Sequence, residues 1–161
     1  MIAKKQYFAI AWLFVLTIGL NSCIKNEVCA PANNLVITDL YSVDSHGELV
    51  ITKIDSLTMF IVGREDSLVY DNVKNSSQFS IPLADTLSHL KVVLKLNDAV
   101  DTVWLDYRSF PVFRSTECGV INRYEIKEID STKNKIWGLY IDNNQVDETK
   151  QINLLLVFHP N

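Results

Sequence analysis

From Leu35 onward, apolar residues come in short runs, most of them alternating with polar positions and separated by turn-forming clusters. Alternation with a period of two marks half-buried strands, whereas helices repeat their apolar positions every three to four residues. The first run, Leu35-Val36-Ile37-Thr38-Asp39-Leu40-Tyr41, ends near the turn cluster Asp44-Ser45-His46-Gly47. Leu49 to Ile54 and Leu57 to Val62 follow, split by Asp55-Ser56. A polar turn, Gly63-Arg64-Glu65-Asp66-Ser67, then leads into Leu68-Val69-Tyr70, and Ser76 to Pro82 is extended around Phe79 and Ile81.

Residues 87–96 admit two readings. Leu87, Leu90 and Leu94 share a helical face, while Val92, Leu94 and Leu96 alternate as a strand does. The Asn97-Asp98 turn and the alternating Val103, Leu105 and Tyr107 favour a hairpin. Gly119 to Ile129 alternates through Tyr124 and Ile126; Ser131 to Asn134 is a turn, Ile136 to Ile141 a strand, and Asp142-Asn143-Asn144 a further turn. In the closing run, Gln151 to Phe158, both sets of alternate positions are apolar. Such a strand is expected inside a sheet, covered on both faces. Eight or so short strands with one apolar face each predict an all-β fold. An antiparallel β-sandwich of immunoglobulin-like type is expected, with a small β-barrel as the alternative.

The first 22 residues follow a different pattern. Lys4 and Lys5 precede an apolar stretch, Ala9 to Leu20, which runs into Leu20-Asn21-Ser22-Cys23. A basic start, a short apolar core and a small residue before a cysteine resemble a bacterial lipoprotein signal. The core is shorter than the roughly 20 residues that a membrane-spanning helix needs. Asn21 is an unusual occupant of its position in that signal. The resemblance implies removal of residues 1–22 and lipidation of Cys23. Residues 23–34 are then a short tether, and 35–161 a single sandwich domain. Stable anchoring requires more than one acyl chain, which a lipoprotein cysteine carries. Ile24-Lys25-Asn26-Glu27 contains neither an Asp directly after Cys23 nor an acidic cluster. The expected address is therefore the outer membrane, facing the periplasm.

Charge narrows the partners. The chain has 15 Lys plus Arg against 19 Asp plus Glu; without Lys4 and Lys5 the remainder carries 13 against 19, a net of −6. The signs are mixed along the chain, and no basic cluster suits nucleic acid. Of the three cysteines, Cys29 and Cys118 remain beside Cys23. Outside the cytoplasm such a pair is most simply a disulfide. It would close a loop of roughly 90 residues and hold the domain within six residues of the lipid, about 20 Å at full extension.

Candidate chemistry is sparse. His46, His89 and His159 have no metal-ligand spacing to one another and no nucleophile at motif distance. No cofactor, metal or enzymatic activity is expected. Asp142-Asn143-Asn144 with Asp147-Glu148 offers oxygens at calcium-loop-like intervals, but lacks the glycine and distal Glu of an EF-hand and also suits a hairpin turn. Trp104, Trp137, Tyr107 and Tyr140 could stack on a glycan, though strand aromatics more often pack the core. Arg108, Arg114 and Arg123 bracket Cys118 and could gather an anion, or simply be solvated. The Gly63–Asp66 turn is a candidate binding tip carrying Arg64, Glu65 and Asp66, or a plain turn in which Gly63 takes positive φ.

The segment Val62-Gly63-Arg64-Glu65-Asp66-Ser67-Leu68-Val69-Tyr70-Asp71, the triplet Glu117-Cys118-Gly119, and Cys29 soon after Cys23 resemble an uncharacterised lipoprotein family of Bacteroidetes-type bacteria. That resemblance covers nearly all of the chain beyond the leader and implies compartment rather than activity. The functional expectation is a membrane-anchored, non-enzymatic accessory or scaffolding module that binds another envelope protein. The alternative is a glycan- or calcium-binding lipoprotein module.

Overall fold

A computed structural model describes Cys29 and residues 32–159. Among these residues there is no helix, and eleven strands build two sheets. In chain order they are β1 (Leu35–Val43), β2 (Leu49–Ile51), β3 (Leu57–Ile61), β4 (Leu68–Val73), β5 (Gln78–Pro82), β6 (His89–Leu96), β7 (Ala99–Ser115), β8 (Gly119–Ser131), β9 (Ile136–Ile141), β10 (Gln145–Val146) and β11 (Ile152–Phe158). The six-stranded sheet runs β10-β8-β7-β6-β3-β4, every pair antiparallel. The five-stranded sheet is β2-β1-β11-β9, with β5 also paired to β1. The protein is thus all-β, its two sheets closing on one apolar core in the manner of a sandwich or small barrel.

The alternation read from the sequence becomes the core. In β6, Leu90, Val92, Leu94 and Leu96 are buried while Lys91 and Lys95 are exposed. Residues 89–96 are therefore strand, because β3 and β7 flank them and only a period of two can fill the space between the sheets. From the other sheet, Val36 and Leu40 of β1 and Leu154, Leu156 and Phe158 of β11 meet them. Strand β11 lies between β1 and β9, as its two apolar faces predict. Its pairing with β1 is parallel, so the first and last strands of the domain lie side by side.

Two polar side chains hold irregular places. Between Ile37↔Ile152 and Thr38↔Leu154 the register slips by one residue, leaving Asn153 unpaired in the ladder. Its side chain takes over the lost contacts: Oδ1 accepts from the Ile37 N–H at 3.0 Å, and Nδ2 donates to the carbonyls of Asn143 and Gln145. Asp101, fully buried in β7, anchors the crossing from β8 to β9 between the two sheets. It accepts hydrogen bonds from the Thr132 hydroxyl and from the backbone N–H groups of Asn134, Lys135 and Ile136. Burial would raise its pKa, but these donors together outweigh that and hold the carboxyl below its ordinary value.

Strands β7 and β8 are longer than the sheet that contains them. The last residues of β7 supported by β6 are Asp106 and Tyr107. Beyond that, among the described residues, Arg108 to Ser115 pair only with Gly119 to Glu125, and past the β10 pairing at Tyr124 and Glu125 the arm is two-stranded. The sequence pattern anticipated the inner part of β7 but not this extension, because Ser109, Pro111 and Arg114 interrupt the apolar alternation.

Candidate functional site

The arm ends where the sequence places its second cysteine. Cys118 lies in the turn between β7 and β8, with Gly119 at φ 69°, and is joined by a disulfide to Cys29 across a Cα–Cα distance of 5.4 Å. The link spans 89 residues of sequence. It ties the tip of the arm to the chain just before β1. Cys23, the expected lipidation site, the expected signal at residues 1–22 and most of the expected tether lie outside the described residues.

The base of the arm is braced by polar contacts. Tyr107 and Tyr124 meet edge to face, ring centroids 6.1 Å apart. The Tyr107 hydroxyl donates to the Ala84 carbonyl and accepts from the Ala84 N–H, while the Tyr124 hydroxyl donates to Asp85. Burial, and for Tyr124 also the adjacent Asp85 carboxylate, pushes both phenol pKa values up, so both stay neutral. Tyr107 is therefore a core residue rather than a stacking platform. On the arm's other side Arg108 forks onto Glu125, which Lys127 also contacts, and Arg123 pairs with Glu148. Lys127 and then Arg108 lower the Glu125 pKa. With Arg108 and Arg123 both committed to carboxylates, the three arginines around Cys118 do not form an open anion patch.

Further out the arm is apolar and uncovered. Phe113 and Val120 face each other across the two strands and are 65% and 64% exposed. By strand alternation they lie on the same side as the buried Tyr107 and Tyr124, so they continue the core face past the point where the opposite sheet stops covering it.

The Gly63–Asp66 segment is a tight turn in which Gly63 has φ 87°. Glu65 folds back to accept a hydrogen bond from the Gly63 N–H at 2.7 Å, which lowers its pKa. Arg64 leaves the turn and borders a cleft of about 210 Å3 with Leu83, Leu87 and Leu90. The turn residues therefore do not converge: one closes the turn and one lines a small apolar recess. The acidic turn at 142–148 likewise has its side-chain oxygens engaged within the protein. Asn143 accepts from the Gln145 N–H, Asp147 accepts from Thr149, and Glu148 faces Arg123. Among the described residues, no group of three His, Cys, Asp or Glu side chains is arranged to hold a metal ion. His46 and His89 each contact one carboxylate, Asp44 and Asp106. Trp104 belongs to the six-stranded sheet, beside Lys91, and Trp137 and Tyr140 to β9 of the other.

Sequence reasoning missed the outer face of the five-stranded sheet. The register sets Leu35, Ile37 and Tyr41 of β1, Leu49 and Ile51 of β2, and Leu155 of β11 on one side, pointing away from the core. Tyr140 of β9 is directly opposite Leu155 and joins them. Ile51 is 65% exposed, and Leu49 and Tyr140 about half exposed. At the centre, Asp39 is nearly buried, accepting a hydrogen bond of 2.6 Å from Gln78 Nε2. The signal was in the sequence, since the runs containing Ile37 and Ile51 are apolar at both alternate positions. Only the pairing of β2 with β1 shows that the second set forms one surface.

These features define an all-β, two-sheet module with a disulfide-pinned arm and an apolar outer sheet face. The chain belongs to DUF6452, a family of unknown function whose model matches residues 56–159. No curated protein and no solved structure matches it.

Proposed function

We propose that the protein is a lipid-anchored accessory or scaffolding module of the bacterial cell envelope, without enzymatic activity, that binds another envelope protein. In this reading residues 1–22 are the export signal, Cys23 carries the lipid, and the domain sits at the outer membrane facing the periplasm. The observation that carries the binding role is the apolar outer face around Tyr41, Ile51, Tyr140 and Leu155. A contiguous apolar surface is the usual mark of an interaction site. Its chemistry suits protein rather than lipid. Two tyrosines flank a hydrogen-bonded carboxylate, Asp39, which a protein interface can accommodate and hydrocarbon would penalise.

Site-specific photo-crosslinking in cells tests this. A crosslinker in place of Ile51 or Leu49 is expected to give a discrete protein adduct, whereas one in place of Trp104, on the opposite sheet, gives none. Adducts of equal yield from both sheets, or none from the Ile51 face, would refute the assignment. The anchor is tested separately: Cys23→Ala is expected to abolish acyl labelling and membrane recovery, and membrane retention in that variant would overturn it.

A further inference from the structure

We infer that the tip of the β7–β8 arm is a second membrane contact, with Phe113 and Val120 entering the lipid interface beside the acyl anchor. This rests on the lipid anchor at Cys23 proposed above. Three observations converge on the arm. Its strands run past the sheet, so among the described residues Arg108 to Ser115 pair as a strand with β8 alone. Such a ribbon is marginal in water unless something covers its apolar face. Phe113 and Val120 form that face and are about two-thirds exposed.

The disulfide decides what lies nearby. Cys118 at the tip is bonded to Cys29, and Cys29 is six residues from Cys23. Six residues span at most about 20 Å and the disulfide adds a Cα–Cα distance of 5.4 Å, so Cys118 stands no further than about 25 Å from the acylated cysteine. The Phe113–Val120 pair is only two residues back from the closing Ser115–Gly119 pair. An apolar pair held this close to a bilayer is placed where aromatic and aliphatic side chains partition into the headgroup and acyl boundary. Glu117, in the turn itself, has its pKa lowered by hydrogen bonds from the Thr116 hydroxyl and its own backbone N–H. A charged tip limits entry to the interface and prevents deep insertion. The arm then orients the domain: with two points fixed, lipid and arm tip, the five-stranded sheet's outer face is held at a set angle to the membrane rather than tumbling on a tether.

The test uses the full lipidated protein reconstituted into phosphatidylcholine–phosphatidylglycerol vesicles whose acyl chains carry bromine. Phe113→Trp introduces a reporter at the arm, and Val100→Trp one at the opposite end of β7. The expected result is a blue shift and bromine quenching of the added emission for Phe113→Trp, and neither for Val100→Trp. The same samples are floated with the vesicles alongside Cys23→Ala. Cys23-dependent flotation without quenching of Phe113→Trp overturns the membrane contact while leaving the anchor intact. Flotation that ignores Cys23 overturns the anchor and this inference with it. Blue-shifted emission that is already present in Cys23→Ala, Phe113→Trp protein without vesicles, and unchanged by them, shows that the chain covers its own arm and also refutes the contact.

Discussion

Replacing Asp101 by asparagine changes one oxygen to an amide nitrogen in a place where every neighbour is a donor. Oδ1 accepts from the Thr132 hydroxyl at 2.6 Å and the Asn134 N–H at 2.8 Å; Oδ2 accepts from the Lys135 and Ile136 N–H groups at 2.7 and 3.2 Å. The Thr132 hydroxyl oxygen accepts from the Thr102 N–H and has one further lone pair. Turned with its NH2 at the Oδ2 position the asparagine leaves the Lys135 and Ile136 N–H groups without acceptors; turned the other way it leaves at least the Asn134 N–H without one. At 0% exposure no solvent replaces the lost partners. A buried donor without a partner costs about 1–3 kcal/mol, so Asp101→Asn should lose about 3 kcal/mol and Asp101→Ala about 4. The pH dependence carries a sign. The folded pKa is lowered, so the carboxylate's contribution is fully present above the unfolded value, about 3.9, and fades as pH falls through the folded value. Urea unfolding followed by tryptophan emission, disulfide intact, would show a constant gap between wild type and Asp101→Asn from pH 5 to 8 that narrows below about pH 4. A loss under about 1 kcal/mol at pH 7, or a gap independent of pH down to 3, would refute the clamp.

Three further outcomes are expected. Reducing the Cys29–Cys118 bond, or Cys29→Ser, should destabilise the domain by up to about 4.5 kcal/mol in the chain-entropy model and slow its non-reducing gel mobility, with no reduction-dependent shift in the variant. Thr38 is fully buried, and its hydroxyl has no hydrogen-bond partner among the described residues, so Thr38→Val should be neutral or stabilise by about 1 kcal/mol in thermal unfolding. Asn153→Leu should cost about 3 kcal/mol, because the Ile37 N–H and the carbonyls of Asn143 and Gln145 lose their partner together; amide exchange at Ile37 should accelerate in parallel.

Much of the fold was legible because antiparallel strands with one buried face leave a local record. Leu90, Val92, Leu94 and Leu96 alternate in sequence and are the residues that fill the core. The internal place of β11 was legible from its two apolar faces, and the disulfide from the two cysteines, Cys29 and Cys118, that follow Cys23. Less legible were contacts that join distant segments. The two-residue strand β10 is too short to leave a period, and Asp101 reads as an ordinary solvated residue beside a turn. The turn at Arg64, Glu65 and Asp66 read as either a binding tip or a plain turn, because charge clusters and a glycine are visible locally but side-chain direction is not. Its geometry instead turns Glu65 back on Gly63.

By itself, then, the amino-acid sequence determined the all-β class, many of the core-facing positions, the pairing of Cys29 with Cys118 and the expectation of an anchored export product. These depend on local periodicity, composition and cysteine count, which act over a few residues or on the chain as a whole. Tertiary structure alone decided that the first and last strands pair in parallel and that β2 extends the outer face beside Tyr41. It also decided that β7 and β8 outrun their sheet, so that Phe113 and Val120 lie uncovered next to the disulfide. The parallel pairing joins segments more than a hundred residues apart, whose register is set by packing of the whole core, and the other two depend on where a neighbouring strand stops, which no local pattern records.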